Sequence, residues 1–481
     1  MQSYRPYIFK IILYLIFTLL VVGTMQFPFF WDTLQLGSKH AHFFYETNFQ
    51  SIILPNEIDS GHIPILGIYL ASNWTIFGKS LIISHLAMLP FVLGIVFQSI
   101  RLCKKLFPAE WHYAATILLL ADATLMAQCT LISPDVILMF FFIMAINQWF
   151  SKKKLWYAIA LTGMALASTR GMMCVASFGV AQAADCFLQQ RNKGISFTTK
   201  SKILLNQLPG LLLNYLPALF ITATFLIWHY IKTGWIGYHT SMPWYPLFEK
   251  VNFTGAVYNI GILGWRLIDF GRVFVWIAAA YCIVHYFKYR PIVNNTLLSL
   301  IVLFVSVIMA FSYVVVFHKS LSGHRYLLPV YFSFSLAVYY YLFHFVNFKW
   351  KKAFVILILA GLLSGNFWVY PDRIAKGWDS TLAYLPYHPL RKQMLDYMQQ
   401  NGIKMSETGT TFPNYGKLKY FDVSDNENSF DTLNMKTNRY VFYSNVFNDF
   451  SDEELKELSD SWKNIKEYRC LQVRVTLYKK P

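Results

Sequence analysis

Residues 297–317 read LLSLIVLFVSVIMAFSYVVVF, without one charged side chain. A helix rises about 1.5 Å per residue, so a run of this length reaches across the roughly 30 Å hydrocarbon core of a bilayer. In lipid the backbone has no water to bond, and a helix is the form that satisfies every amide and carbonyl within the segment. Comparable apolar runs occupy 11–27, 81–100, 113–128, 136–149, 156–167, 172–187, 211–230, 260–287, 327–345 and 353–369. The reading is a polytopic α-helical membrane protein with about 11 transmembrane helices. Composition agrees: 56% of residues are hydrophobic and 14% charged, against about a quarter charged in a soluble domain.

The formal charge is +17, which raises nucleic acid as a partner. Its distribution argues against that. Lys and Arg gather in short loops between apolar runs, at Arg101, Lys104 and Lys105, at Lys152, Lys153 and Lys154, at Arg191, Lys193, Lys200 and Lys202, at Lys288 and Arg290, and at Lys349, Lys351 and Lys352. Alternate loops carry them, which is the positive-inside pattern of a membrane protein. The expectation is therefore a multi-pass protein of an inner (plasma) membrane, amino terminus cytoplasmic, with no nucleic-acid partner. The run at 11–27 lacks a small-residue cleavage site and is followed by Pro28-Phe29-Phe30-Trp31, so it reads as an uncleaved first span.

The stretch 37–77 is interrupted by Lys39, Glu46, Glu57 and Asp59 and reads as interfacial helices in the first outer loop. Composition shifts after residue 370. HPLRKQMLDYMQQNGIK reads as a helix closed by Gly402 and RYVFYSNVF as a strand. SDEELKELSDSWKNI reads as a helix capped by Ser451, and EYRCLQVRVTLY as a final strand. This divides the chain into a transmembrane domain, 1–370, and a small extracytoplasmic C-terminal α/β soluble domain, 371–481. The six cysteines show no CxxC or Cys/His spacing, so no zinc site or disulfide framework is readable.

Topology puts several polar residues on one side. An odd number of crossings from an inside amino terminus places Asp32, Asp135, Arg170, the loops 232–252 and 317–325 and the tail all outside. Asp32 follows a run of large aromatics, a setting that desolvates a carboxylate and makes it a better proton acceptor. Asp135, in Ser133-Pro134-Asp135, also suits a plain helix N-terminus. GHIP at 61–64 combines a flexible residue, the imidazole of His62 and a helix-starting proline. Arg170 in STRGMM, and Lys319, His324 and Arg325 in HKSLSGHRYLLP, supply cations, and an Arg fork suits a phosphate. Lys39, Glu57, Asp59 and His62 are the substrate-binding candidates of the first outer stretch. Arg266, Asp269 and Arg272 recur every three residues, as on one helix face, and read as mutually neutralising.

The order of these motifs resembles the GT-C superfamily of polyprenol-phosphate-sugar-dependent glycosyltransferases. The likeness lies with the bacterial branch related to protein mannosyltransferases and lipid A aminoarabinose transferases. It rests on an Asp shortly after the first span, then GHIPILGIYLASNWTIFG, PDVILMFFFIMA, ALASTRG and HRYLLPVYF, covering roughly the first 350 residues. The resemblance implies that Asp32 is the general base on an acceptor hydroxyl and that Asp135 assists orientation or proton handling. It implies that Arg170, Lys319, His324 and Arg325 face the donor phosphate. His62-Ile63-Pro64 stands for the family's His-Pro-Pro or Lys-Pro element, and Thr169-Arg170-Gly171 for its Thr-Lys-Gly. Thr33 follows Asp32 where many members have a second acid. The implied partners are a polyprenyl-phosphate-sugar donor, a lipid, glycan or protein acceptor, and the membrane. A divalent metal is left open, with His62 its candidate ligand. Two other classes remain, a transporter or flippase for a lipid-linked saccharide and a non-catalytic membrane scaffold.

Overall fold

The computed structural model describes residues 5–189, 197–240, 242, 245–319, 322–372, 374 and 377–481; of the basic loop residues above, Arg191 and Lys193 lie outside that set. Among the described residues six helices are long and apolar enough to cross a membrane. These are Leu81–Leu106, Pro134–Ser151, Thr169–Leu188, Ser201–Thr233, Asn295–Phe317 and His324–Phe345. Counting the bent pair Phe253–Ile268 and Val273–Tyr289 as one span makes seven, fewer than the expected eleven by length and composition. Shorter apolar helices at Tyr7–Gly23, Ile65–Phe77 and Lys154–Ala167 accompany them. His324–Phe345 is the most enclosed of the long helices and packs on Asn295–Phe317 and Val273–Tyr289, whereas Ser201–Thr233 turns most of its surface outward.

Two expected spans are broken. The run 113–128 forms two short helices, His112–Leu120 and Ala123–Gln128, divided at Asp122. The Asp122 side chain caps the second by accepting from the amides of Thr124 and Leu125. An N-cap residue leaves helical geometry, so the carboxylate that starts one helix ends the other. The run 260–287 is the bent pair, with its halves at 91°. Phe270 (φ 50°) and Gly271 (φ 82°) make the corner. A Cβ on Gly271 would lie 2.1 Å from the Gly361 carbonyl oxygen, so only glycine admits this close approach. Arg266, Asp269 and Arg272 therefore do not share one helix face. Arg266 lies in the last turn before the corner, Asp269 is the C-cap, and Arg272 precedes the next helix.

The stretch 37–77 contains part of a π-helix, Leu34–Lys39, then the helices His40–Glu46 and Ile65–Phe77 joined by loop. The tail carries a mixed six-stranded sheet: β1 (Thr408–Thr410), β2 (Gly416–Lys417), β3 (Ser429–Thr432), β4 (Tyr440–Ser444), β5 (Lys463–Cys470) and β6 (Val473–Lys479), in the order β2-β3-β1-β4-β6-β5. β1 runs parallel to both β3 and β4, and the other pairs are antiparallel. The expected single last strand is instead the hairpin β5–β6, turned at Leu471 with φ 51°. The helix capped by Ser451 is present over Asp452–Asp460, with the full reciprocal capping box to Glu454.

The tail does not hang free. Phe30, Trp31 and Leu131 belong to the same hydrophobic cluster as Trp378, Tyr384, Tyr387 and the sheet. Phe30 stacks on Tyr384 at 4.9 Å and Phe27 on His388 at 4.5 Å. The Phe29 amide donates to the Phe421 carbonyl at 2.9 Å. The aromatic run behind the first helix is thus the seat of the C-terminal domain.

Candidate active site

Asp32 owes its position to an unusual piece of backbone. Trp31 has φ 58°, a left-handed conformation that costs a bulky L-residue about 1–2 kcal/mol. A π-helix follows at once, a form found mostly at functional sites. Asp135 stands in the first turn of Pro134–Ser151, where Ser133 caps by accepting from the Asp135 amide at 3.1 Å. Arg170 stands in the first turn of Thr169–Leu188, capped by Ser168. The turn before it requires Gly171, whose Cβ would sit 1.7 Å from the Met164 carbonyl oxygen. Arg325 lies in a 3-10 turn, His324–Leu327, that leads into the central helix.

These four residues meet. Arg325 Nη2 donates to Asp32 Oδ2, its Nε lies 3.9 Å from Asp135 Oδ2, and Arg170 Nη1 lies 2.6 Å from Asp135 Oδ1. Tyr326 lies beneath both guanidinium groups, 4.4 Å from Arg170 and 4.9 Å from Arg325, and its hydroxyl donates to Asp32 at 3.2 Å. A further carboxylate arrives from the tail: Asp379 Oδ2 is 2.9 Å from Arg325 Nη1. Three carboxylates thus surround one buried guanidinium. Only Asp32 among the three is open, at 34% exposure against 2% and 6% for Asp135 and Asp379.

The cluster is not saturated. Asp135 Oδ1, Arg170 Nη1, Asp379 Oδ2 and His62 Nδ1 are buried without a hydrogen bond of good geometry, although the first three have an opposite charge beside them. Three of these atoms are engaged as ion pairs, and His62 Nδ1 is left without one, which is uncommon for a buried polar atom. Burial, opposed by Arg325, holds the Asp379 carboxyl above its usual range. Burial, helped by the charge of Arg170, pushes His62 down to about 4, so its imidazole is neutral near pH 7.

The other expected residues lie elsewhere. His324 is turned away from Asp32, its Nε2 donating to Asp269 Oδ2 at 2.8 Å. Lys319 is exposed and paired with Glu249. Asp59 is buried, bonded to His229 Nε2 at 2.9 Å and to the Gly61 amide at 2.8 Å; it ties the loop before Ile65–Phe77 to the C-terminal end of Ser201–Thr233. Lys39 is half-buried over the Tyr420 ring at 5.9 Å, and Glu57 is exposed. Arg266, Asp269 and Arg272 feed a separate network. Arg272 forms a two-pronged pair with Asp122, at 2.7 and 2.8 Å, and stacks 3.6 Å over Tyr331. Among the described residues no group of three or more His, Cys, Asp or Glu side chains is placed to hold a metal. At the Asp32 cluster the cation between the carboxylates is Arg325.

Asp379 and Tyr326 escaped the sequence reading. Tyr326 had a signal in its adjacency to Arg325. Asp379 sits within the tail assigned to a soluble domain, and nothing local to Trp378-Asp379-Ser380 points across to Arg325.

The arrangement defines a polytopic helical membrane protein with a charged, partly desolvated cluster roofed by a C-terminal mixed sheet. No family model matches the sequence, and no curated protein matches it. In fold it matches the crystal structure of ArnT from Cupriavidus metallidurans bound to undecaprenyl phosphate. The match has a TM-score of 0.54 and covers 99% of this chain and 98% of that one, at 10% identity. At that identity the likeness is one of fold.

Proposed function

We propose that the chain is an inverting glycosyltransferase. It moves a hexosyl or pentosyl group from a polyprenyl-phosphate donor to an acceptor hydroxyl of a lipid, glycan or protein at the outer face of an inner membrane. The observation that carries this reading is the convergence of Asp32, Asp135, Arg170 and Arg325, from four distant segments, around one half-open carboxylate. The fold match to a protein holding undecaprenyl phosphate supports the donor class.

In this reading Asp32 takes the acceptor proton while the acceptor oxygen bonds the anomeric carbon. The bond from that carbon to the phosphate oxygen breaks, and the electron pair leaves with the phosphate. Arg325 links the two events. It is bonded to Asp32 in this state, and a protonated Asp32 no longer holds its charge. The guanidinium is then free to meet the charge growing on the phosphate, with the positive charge of Arg170 beside it. Asp135 and Asp379 hold the two forks in place. We read the basic loops as cytoplasmic, so that, with the short and broken helices included, about eleven crossings start from an amino terminus in the cytoplasm. Residues 37–77 then lie along the membrane surface and 371–481 outside, over the catalytic domain 1–370.

The broken pair at Asp269–Arg272 favours a second reading, since transporters build sites at interrupted helices. Its charges, however, are already matched by Asp122, His324 and Tyr370. Purified protein incubated with a panel of polyprenyl-phosphate sugars, with products read by mass spectrometry, tests the proposal. Transfer is expected with at least one sugar and is expected to fall about a hundredfold or more in Asp32→Asn. Undiminished transfer by the folded variant refutes the general-base role. Movement of a lipid-linked saccharide across vesicles without transfer favours the transporter.

A further inference from the structure

A second polar feature lies at the other end of the bundle. The helix Pro134–Ser151 carries Asp135 in its first turn and Gln148 in its last, about 20 Å along the axis. Beside Gln148 a cavity of about 520 Å³ opens between this helix, the first helix, Leu81–Leu106 and Lys154–Ala167. Its walls are apolar toward Leu93, Phe97 and Phe140, and its mouth carries Arg101, Lys153 and Trp156. Lys105 is close by, bonded to Ser151 Oγ at 2.8 Å. The charges that act on Lys105 are Arg101 and Lys153, both of its own sign. Gln148 is 3% exposed and its Oε1 has no hydrogen-bond partner.

Like charges repel, and an anion among these three cations relieves that repulsion. Phe97 and Trp156 are about half exposed, at 49% and 51%, as side chains are where protein meets lipid at the interface. A groove charged at one end, apolar along its length and open to the bilayer has the profile of an anionic amphiphile. Bulk membrane lipid is present at far higher concentration than any carrier lipid, and mass action favours it wherever the recognised chemistry is the same.

We propose that this groove binds an anionic glycerophospholipid, its phosphodiester among Arg101, Lys105 and Lys153 and one acyl chain along Leu93, Phe97 and Phe140. The site is distinct from the Asp32 cluster and does not depend on the transferase reading.

Native mass spectrometry of the full chain in detergent, titrated with phosphatidylglycerol and separately with phosphatidylcholine, tests it. Phosphatidylglycerol is expected to be retained preferentially. Each of Arg101→Gln and Lys153→Gln is expected to weaken that retention about fivefold, and Lys153→Glu more, as expected for about one surface cation's contribution. Lys153 is exposed, so its variants keep the fold, as an unchanged melting temperature checks. Lys288→Glu, at another basic helix end, is expected to leave retention unchanged. Equal retention of the two lipids, no effect of Lys153→Glu, or an equal loss from Lys288→Glu overturns the proposal. Stronger retention of undecaprenyl phosphate than of phosphatidylglycerol, lost in the same variants, overturns it in favour of a carrier-lipid site.

Discussion

Arg325 and Lys319 lie six residues apart in one loop and carry the same charge, yet their surroundings differ completely. Lys319 has ended in solvent against Glu249, while the 3-10 turn at His324–Leu327 carries Arg325 inward among three carboxylates. A short turn rotates successive side chains by about 120°, so neighbours in a loop need not share a site. That rotation, which residue type does not encode, also sends His324 to Asp269 and Arg325 to Asp32. Asp32, Asp135 and Arg170 were readable because each starts or follows an apolar run and topology puts them on one side. Asp379 was not, since it lies beside no apolar run and within a tail read as a separate soluble domain. Its role is open to test. Asp379→Asn keeps the shape but removes the charge from Arg325 Nη1, a contact of about 1.5 kcal/mol or more. Sugar transfer is expected to slow about tenfold, with the melting temperature nearly unchanged near the pH where the parent carboxyl is protonated. A rate equal to the parent's would leave Asp379 a bystander.

Among the elements, the membrane helices announce themselves by unbroken apolar length, and their interruptions hide inside that same length. The corner at Asp269–Arg272 had a local signal, Gly271 amid charges, which the apolar flanks outweighed. The β5–β6 hairpin had less, because its turn uses Leu471 at positive φ where glycine or asparagine is the usual sign. Gly271 combines a positive φ with a backbone contact to Gly361 that leaves no room for a methyl group. Gly271→Ala is therefore expected to destabilise the protein by about 2 kcal/mol or more and to lower the melting temperature in detergent. Gly210→Ala, where nothing lies within 4 Å of the added carbon, is the control and is expected to leave it unchanged.

At the scale of the molecule, bundle and tail meet over the stretch 37–77, where His40 and His42 are buried and His62 is half-buried. His42 touches the rings of Trp74 and Tyr420, His40 bonds the Ile58 carbonyl at 2.7 Å, and His62 adjoins the Asp32 cluster. Burial lowers each to about 4, below the usual 6.5 of an exposed imidazole. The unfolded chain takes up these protons near pH 6.5, and the folded chain only near 4. Their contribution to stability is therefore complete above about pH 6.5 and is lost as pH falls toward 4. Thermal unfolding followed across that window is expected to show a falling melting temperature, with a shallower slope in His62→Gln. A flat profile would mean these imidazoles are not held neutral.

Asp379 reaches Arg325 from a segment made after all the long membrane helices, whereas Asp32 is made before them. A ribosome that stalls before the last quarter of the chain releases a set of helices whose central guanidinium lacks one of its three partners.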